Sequence, residues 1–142
     1  MLTASGAALY FTADDGVHGR ELWVSRGTEQ STVLLNDITP DGASEILHLT
    51  PFGAGVAFFV RVESSGWQLW RSDGTVAGTV PFHTMSFDES RRRPQALFAH
   101  DGSLYFPGWD SQFAWEVWRS DGTAGGTFRL TETNGNAQGQ AD

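Results

Sequence analysis

The chain has 142 residues, a net charge of −8 and no cysteine, so it can bury one ordinary core but has neither disulfides nor thiol chemistry. Its acidic balance, with a pI near 4.8, argues against a nucleic-acid or anionic-membrane partner, which would call for a basic face. No stretch approaches the roughly 20 apolar residues of a membrane span, and no charged-then-apolar leader opens the sequence.

In chain order, Leu2-Thr3 begins a short strand and Gly6 turns it. Leu9-Tyr10-Phe11 gives a second strand, and Asp14-Asp15-Gly16-Val17-His18-Gly19 forms a turn by its Asp-Gly and glycine content. Glu21-Leu22-Trp23-Val24-Ser25-Arg26-Gly27-Thr28 is a third strand running into a tight turn, and Thr32-Val33-Leu34-Leu35 a fourth. A polar connector, 36–44, turns at Pro40-Asp41-Gly42. The plan then recurs. Leu49-Thr50, Ala57-Phe58-Phe59, Gln68-Leu69-Trp70-Arg71-Ser72-Asp73-Gly74-Thr75 and Thr79-Val80-Pro81-Phe82 form a second set. Leu97-Phe98, Leu104-Tyr105-Phe106, Glu116-Val117-Trp118-Arg119-Ser120-Asp121-Gly122-Thr123 and Thr127-Phe128-Arg129-Leu130 form a third.

Trp23, Trp70 and Trp118 lie 47 and 48 residues apart, while Phe11, Phe59 and Phe106 lie 48 and 47 apart. Self-similarity at this period marks an array of units that bury their apolar faces by stacking. The expected units are about 1–47, 48–94 and 95–142 of a single repeat domain 1–142, with a frayed polar tail over 131–142. Shortening of the second turn to Glu63-Ser64-Ser65-Gly66 accounts for the uneven spacing. Unit 1 has only Met1-Leu2 where unit 2 has Glu45-Ile46-Leu47-His48-Leu49, so something is expected to complete its first strand.

Leucine or valine adjoins each repeated tryptophan. Successive strand residues point to opposite faces, so both faces of these strands are expected to be buried. Trp23, Trp70, Trp118, Phe11, Phe59 and Phe106 are the expected repeat core. The pattern predicts an all-β chain of three four-stranded antiparallel propeller blades, closing into a ring by oligomerisation. Three repeats of this length also match a β-trefoil, and Gln68-Leu69-Trp70 resembles the Gln-x-Trp of trefoil lectins. A trefoil would close on its own units.

Gln68 to Thr75 and Glu116 to Thr123 also resemble the repeats of the bacterial ELWxxDGT family, and the preceding Leu-Tyr-Phe run fits as well. The departures are Arg26 for the turn aspartate, Gln68 for glutamate and Val117 for leucine. The resemblance implies a propeller protein of the cell surface or secreted fraction, and it carries over no activity and no catalytic residue.

His18, His48, His83 and His100 are scattered without metal-ligand spacing, and no serine sits in a Gly-x-Ser-x-Gly elbow. Asp14-Asp15 with Glu21, and Asp41 with Glu45, offer oxygen atoms to calcium, but neither matches a calcium-loop spacing. Arg91-Arg92-Arg93, between Glu89 and Pro94, reads as a solvated loop. The sequence therefore points to no enzyme, no cofactor and no metal. Trp67, Trp109 and Trp115 depart from the unit pattern and are the candidate ligand-binding platform, suited to a glycan or a protein. The expectation is a non-enzymatic, extracellular interaction scaffold whose partner is itself, two copies closing a six-bladed ring. The alternatives are a purely structural self-assembling array without a ligand, and a β-trefoil lectin.

Overall fold

The computed structural model describes residues 1–40, 42–85, 93–110 and 114–131. Asp41, most of the arginine run, part of the third unit's aromatic loop and the polar tail beyond Thr131 lie outside the described residues. Each alternating or two-sided apolar run forms a strand, and each glycine-bearing polar run reverses the chain. In order the strands are β1 (Leu2–Ser5), β2 (Ala8–Asp14), β3 (Arg20–Ser25), β4 (Val33–Asn36), β5 (Glu45–Phe52), β6 (Gly55–Val62), β7 (Gly66–Ser72), β8 (Val80–Thr84), β9 (Phe98–His100), β10 (Ser103–Asp110), β11 (Ala114–Ser120) and β12 (Thr127–Arg129). One 3-10 turn, Glu29–Ser31, is the sole helical element among the described residues.

The strands form three four-stranded antiparallel sheets ordered β1-β2-β3-β4, β5-β6-β7-β8 and β9-β10-β11-β12. Every ladder stays within one unit. A β-trefoil pairs strands of neighbouring units into a common barrel, so three separate sheets speak against the trefoil alternative. The first strand of the second sheet, β5, has eight residues where β1 has four, and the expected boundary between residues 47 and 48 falls inside it.

The sheets stack face to face through two apolar clusters. Val56, Phe58 and Val60 of β6 join Ile46, Leu49 and Trp70 against Tyr10, Leu22, Val24 and Leu35 of the first sheet. The alternate β6 residues Ala57 and Phe59 join Trp67, Leu69 and Met85 against Leu97, Leu104 and Phe106 of the third. Period-two alternation thus sends consecutive apolar residues into different clusters, and Gly55 to Val60 are buried without interruption. The first strands of successive sheets lie near one another, β1 by β5 and β5 by β9. A repeated hydrogen bond ties them: Thr3 Oγ1 donates to the Leu49 carbonyl at 3.0 Å, and Thr50 Oγ1 to the Leu97 carbonyl at 3.1 Å.

The register corrects one repeat assignment. Phe11 pairs with Trp23, Phe58 with Trp70 and Phe106 with Trp118, so Phe58 is the second unit's counterpart and Phe59 is not. Phe59 is fully buried on the opposite face, edge-on to Phe106 at 5.7 Å between centroids. Twelve residues separate each of these phenylalanines from its tryptophan in all three units. No hairpin is therefore shortened, and the extra residue of the second interval falls between His83 and Leu97. Adjacent phenylalanines had made the two registers indistinguishable by residue type.

Trp70 is 8% exposed and stacks on Phe58, centroids 6.4 Å apart. Trp70→Ala is expected to cost about 3–5 kcal/mol in urea unfolding. Val17→Ala, at a hairpin position 79% exposed, is expected to stay within about 0.5 kcal/mol.

Candidate functional site

The turn after each tryptophan strand shows why its residues recur. In the second unit Ser72 Oγ accepts from the Gly74 amide at 3.1 Å and contacts Thr79 Oγ1 at 2.8 Å. Asp73 Oδ1 accepts from the Thr75 amide at 2.9 Å and its hydroxyl at 2.7 Å, while Thr75 Oγ1 accepts from the Gly78 amide at 3.0 Å. The third unit repeats these bonds through Ser120, Asp121, Thr123, Gly126 and Thr127. Hydrogen bonds from threonine hold both aspartates below the usual carboxylate range. Both carboxylates are thereby committed to shaping their own turns, which speaks for geometry over catalysis.

The first unit reaches the same shape without the aspartate. Ser31 Oγ accepts from the amides of Arg26 and Thr28, each at 3.2 Å, and the Glu29–Ser31 turn brings it there. Gly27, Gly74 and Gly122 all have positive φ, at 95°, 87° and 87°, which favours glycine. Neighbouring sheets add a second reason. A Cβ at Gly74 would lie 2.8 Å from the Tyr10 hydroxyl, and one at Gly122 would lie 2.7 Å from Phe52 Cε1. Nothing lies within 4 Å of that position at Gly27.

The glutamate of the motif anchors connectors. Glu21 is fully buried and accepts from Ser44 Oγ at 2.6 Å and from the Ile38 and Thr39 amides, each at 3.3 Å. Burial pushes its carboxyl up, against the pull of those donors. Glu116 accepts from Thr131 Oγ1. Gln68 instead accepts from Trp70 Nε1 at 3.0 Å and donates to Ser65, within its own hairpin.

The three candidate platform tryptophans separate. Trp67, 4% exposed, lies in the cluster between the second and third sheets and presents no open platform. Trp115 takes the corresponding place on β11, half-buried, on the outward face of the third sheet. Trp109 pairs with Trp115 in backbone register, and its side chain lies outside the described residues. Of the repeat core, Phe59, Phe106 and Trp70 are buried, whereas Phe11, Trp23 and Trp118 are half-buried. Trp23 and Phe11 lie on the outward face of the first sheet, because Tyr10, Leu22 and Val24 point into the first cluster.

The histidines occupy four separate environments. His18 Nδ1 meets Asp15 Oδ2 at 2.7 Å, His48 Nε2 meets the Pro94 carbonyl at 2.9 Å, His83 lies against Trp118, and His100 is exposed. Burial lowers the pKa of His83. Among the described residues no group of three or more His, Cys, Asp or Glu side chains is placed to hold a metal. A cleft of about 450 Å³ between the second and third sheets is lined by Arg71, His83 and Thr123, with no nucleophile held by a base. Among the described residues no helix is long and apolar enough to cross a membrane. No protein-family model matches the chain, and no curated protein matches it.

The His18–Asp15 pair fixes a pH test. The hydrogen bond to Asp15 raises His18, whereas hydrogen bonds from His18 and Val17 depress Asp15. The raised histidine contributes stability below 6.5 that is lost as pH rises through its folded value. The depressed aspartate contributes above 3.8 and loses that as pH falls. The pair therefore acts most fully between those limits. Histidine NMR titration should place His18 above 6.5 and Asp15→Asn should bring it down, whereas an unmoved midpoint would contradict the pairing.

Proposed function

We propose that the chain is a non-enzymatic β-propeller repeat module of the ELWxxDGT kind, an extracellular interaction scaffold whose partner is a second copy. One observation carries this reading. The middle sheet is covered on both faces, while the corresponding faces of its two neighbours are left open. On the first sheet the open face runs through Leu2, Leu9, Phe11, Trp23 and Leu34, with Leu2 69% and Leu9 41% exposed. On the third it carries Phe98, Val117 and Phe128, exposed by 65%, 42% and 47%.

Contiguous apolar faces of this kind are interaction surfaces, and here each is a variant of a surface already used inside the chain. Joining third sheet to first sheet twice, about a twofold axis, closes six blades, within the usual range for propellers. Burial of Trp67 weakens the glycan reading, because the platform then rests on Trp109 and Trp115. Commitment of the turn carboxylates to their own backbone supports a scaffold over an enzyme.

Sedimentation equilibrium at micromolar concentration should give a species of twice the 15.5 kDa chain mass, and a stable monomer would contradict the ring. Tryptophan emission should stay flat against a panel of sugars. A saturable response lost in Trp115→Ala would assign a glycan platform instead.

A further inference from the structure

The two joints inside the chain share two features, a ring beside a turn glycine and a crossing threonine hydroxyl, and the second joint adds a sealed tryptophan; all can be followed onto the open faces. An aromatic ring of the preceding sheet occupies the space beside the turn glycine of the next: Tyr10 at Gly74, and Phe52 at Gly122. Trp67 is sealed between the second and third sheets. A threonine hydroxyl crosses to the first strand of the neighbouring sheet.

At the open ends all three features have counterparts. Beside Gly27 the space is empty, and a hollow of about 340 Å³ lies there, lined by Ala4, Leu9, Ser25 and Gly27 among others. On the third sheet Tyr105 pairs with Arg119, one residue before the Phe106–Trp118 pair. Tyr10 pairs with Val24, one residue before Phe11–Trp23. Tyr105 is therefore the counterpart of Tyr10. It is half-buried and points away from the cluster that holds Leu104 and Phe106. Phe98 pairs with Tyr105 as Thr3 pairs with Tyr10, so it stands at the threonine position without a hydroxyl. On the first sheet, the bond from the Thr12 amide to the Met1 carbonyl leaves the Leu2 carbonyl directed away from β2, because ladder bonds alternate along an antiparallel pair.

We propose that, in the ring described above, Tyr105 of one copy enters the hollow beside Gly27 of the other, as Tyr10 enters beside Gly74. Trp115 is then sealed in the joint as Trp67 is, and Phe98 meets the second copy's first strand without the hydroxyl-to-carbonyl bond of the internal joints. This rests on the self-association reading. It adds that Trp115 is a joint residue and that the closing joint is the weakest of the three.

Sedimentation equilibrium of the unmodified chain, Tyr105→Ala, Leu9→Asp and Phe98→Thr tests it, with circular dichroism of each as the check on folding. Each joint occurs twice in the ring, so a tenfold loss per joint becomes about a hundredfold loss in the dimer constant. Tyr105→Ala and Leu9→Asp should each weaken the dimer by about that factor or more and keep the strand spectrum, since both positions lie on open faces of the single chain. Phe98→Thr, which restores the missing hydroxyl, should tighten it, and a looser dimer would contradict the placement of Phe98. A monomeric parent would overturn the ring reading itself. A dimeric parent with a constant that moves less than about threefold in both Tyr105→Ala and Leu9→Asp would overturn this inference alone. Should Tyr105→Ala lose the strand spectrum, Leu9→Asp decides.

Discussion

Burial of both faces of the middle sheet is the condition from which the rest of the structure follows. A strand such as β6, apolar at consecutive positions, exposes one side chain to water for every one it buries unless a layer lies on each side. Val56, Phe58 and Val60 are matched by Tyr10, Leu22 and Val24, and Ala57 and Phe59 by Leu104 and Phe106. Once one sheet of a repeat is built to be covered twice, its equivalents inherit the same requirement. The half-buried state of Phe11 and Trp23, and the exposure of Phe98, Val117 and Phe128, are consequences of that inheritance.

Stacking also demands that adjacent sheets meet at a fixed height, and the polar residues of the repeat answer that demand. The serine, aspartate and threonine of the turn lock its backbone, and the glycine clears the space into which a neighbour's ring projects. The first unit shows that shape is what matters, because Ser31 makes the amide bonds there with Arg26 in the aspartate's place. Thr3 and Thr50 then pin the first strand of one sheet to that of the next. These are short-range devices, yet they set the spacing over which the apolar clusters close.

Much of this was legible in the residues themselves. The threefold recurrence of the tryptophan strand, the adjacent apolar pair within it and the Asp-Gly turns gave twelve strands in three sheets with almost no helix. What escaped was whatever depends on register. Phe58 and Phe59 are chemically alike and one residue apart, but opposite faces separate them, and only the pairing of Phe58 with Trp70 tells which belongs to the repeat. Trp67 departs from the Arg20 of the first unit, and residue type alone leaves both a binding platform and packing between sheets open. Its face in fact points into the second cluster, where a large apolar side chain fills the joint. The role of Ser31 was likewise hidden, since it lies five residues beyond the Arg26 amide whose bond it accepts.

The central claim is that this chain completes its burial against a copy of itself, so that assembly and folding stability are linked. The melting temperature as a function of protein concentration tests that link directly. Mass action predicts a midpoint that rises by about 2–4 °C for each tenfold increase in concentration, because the folded ring is bimolecular in chain while the unfolded state is not. A midpoint that stays constant from low micromolar to millimolar concentration would show a unit that satisfies its own faces, and would contradict the account.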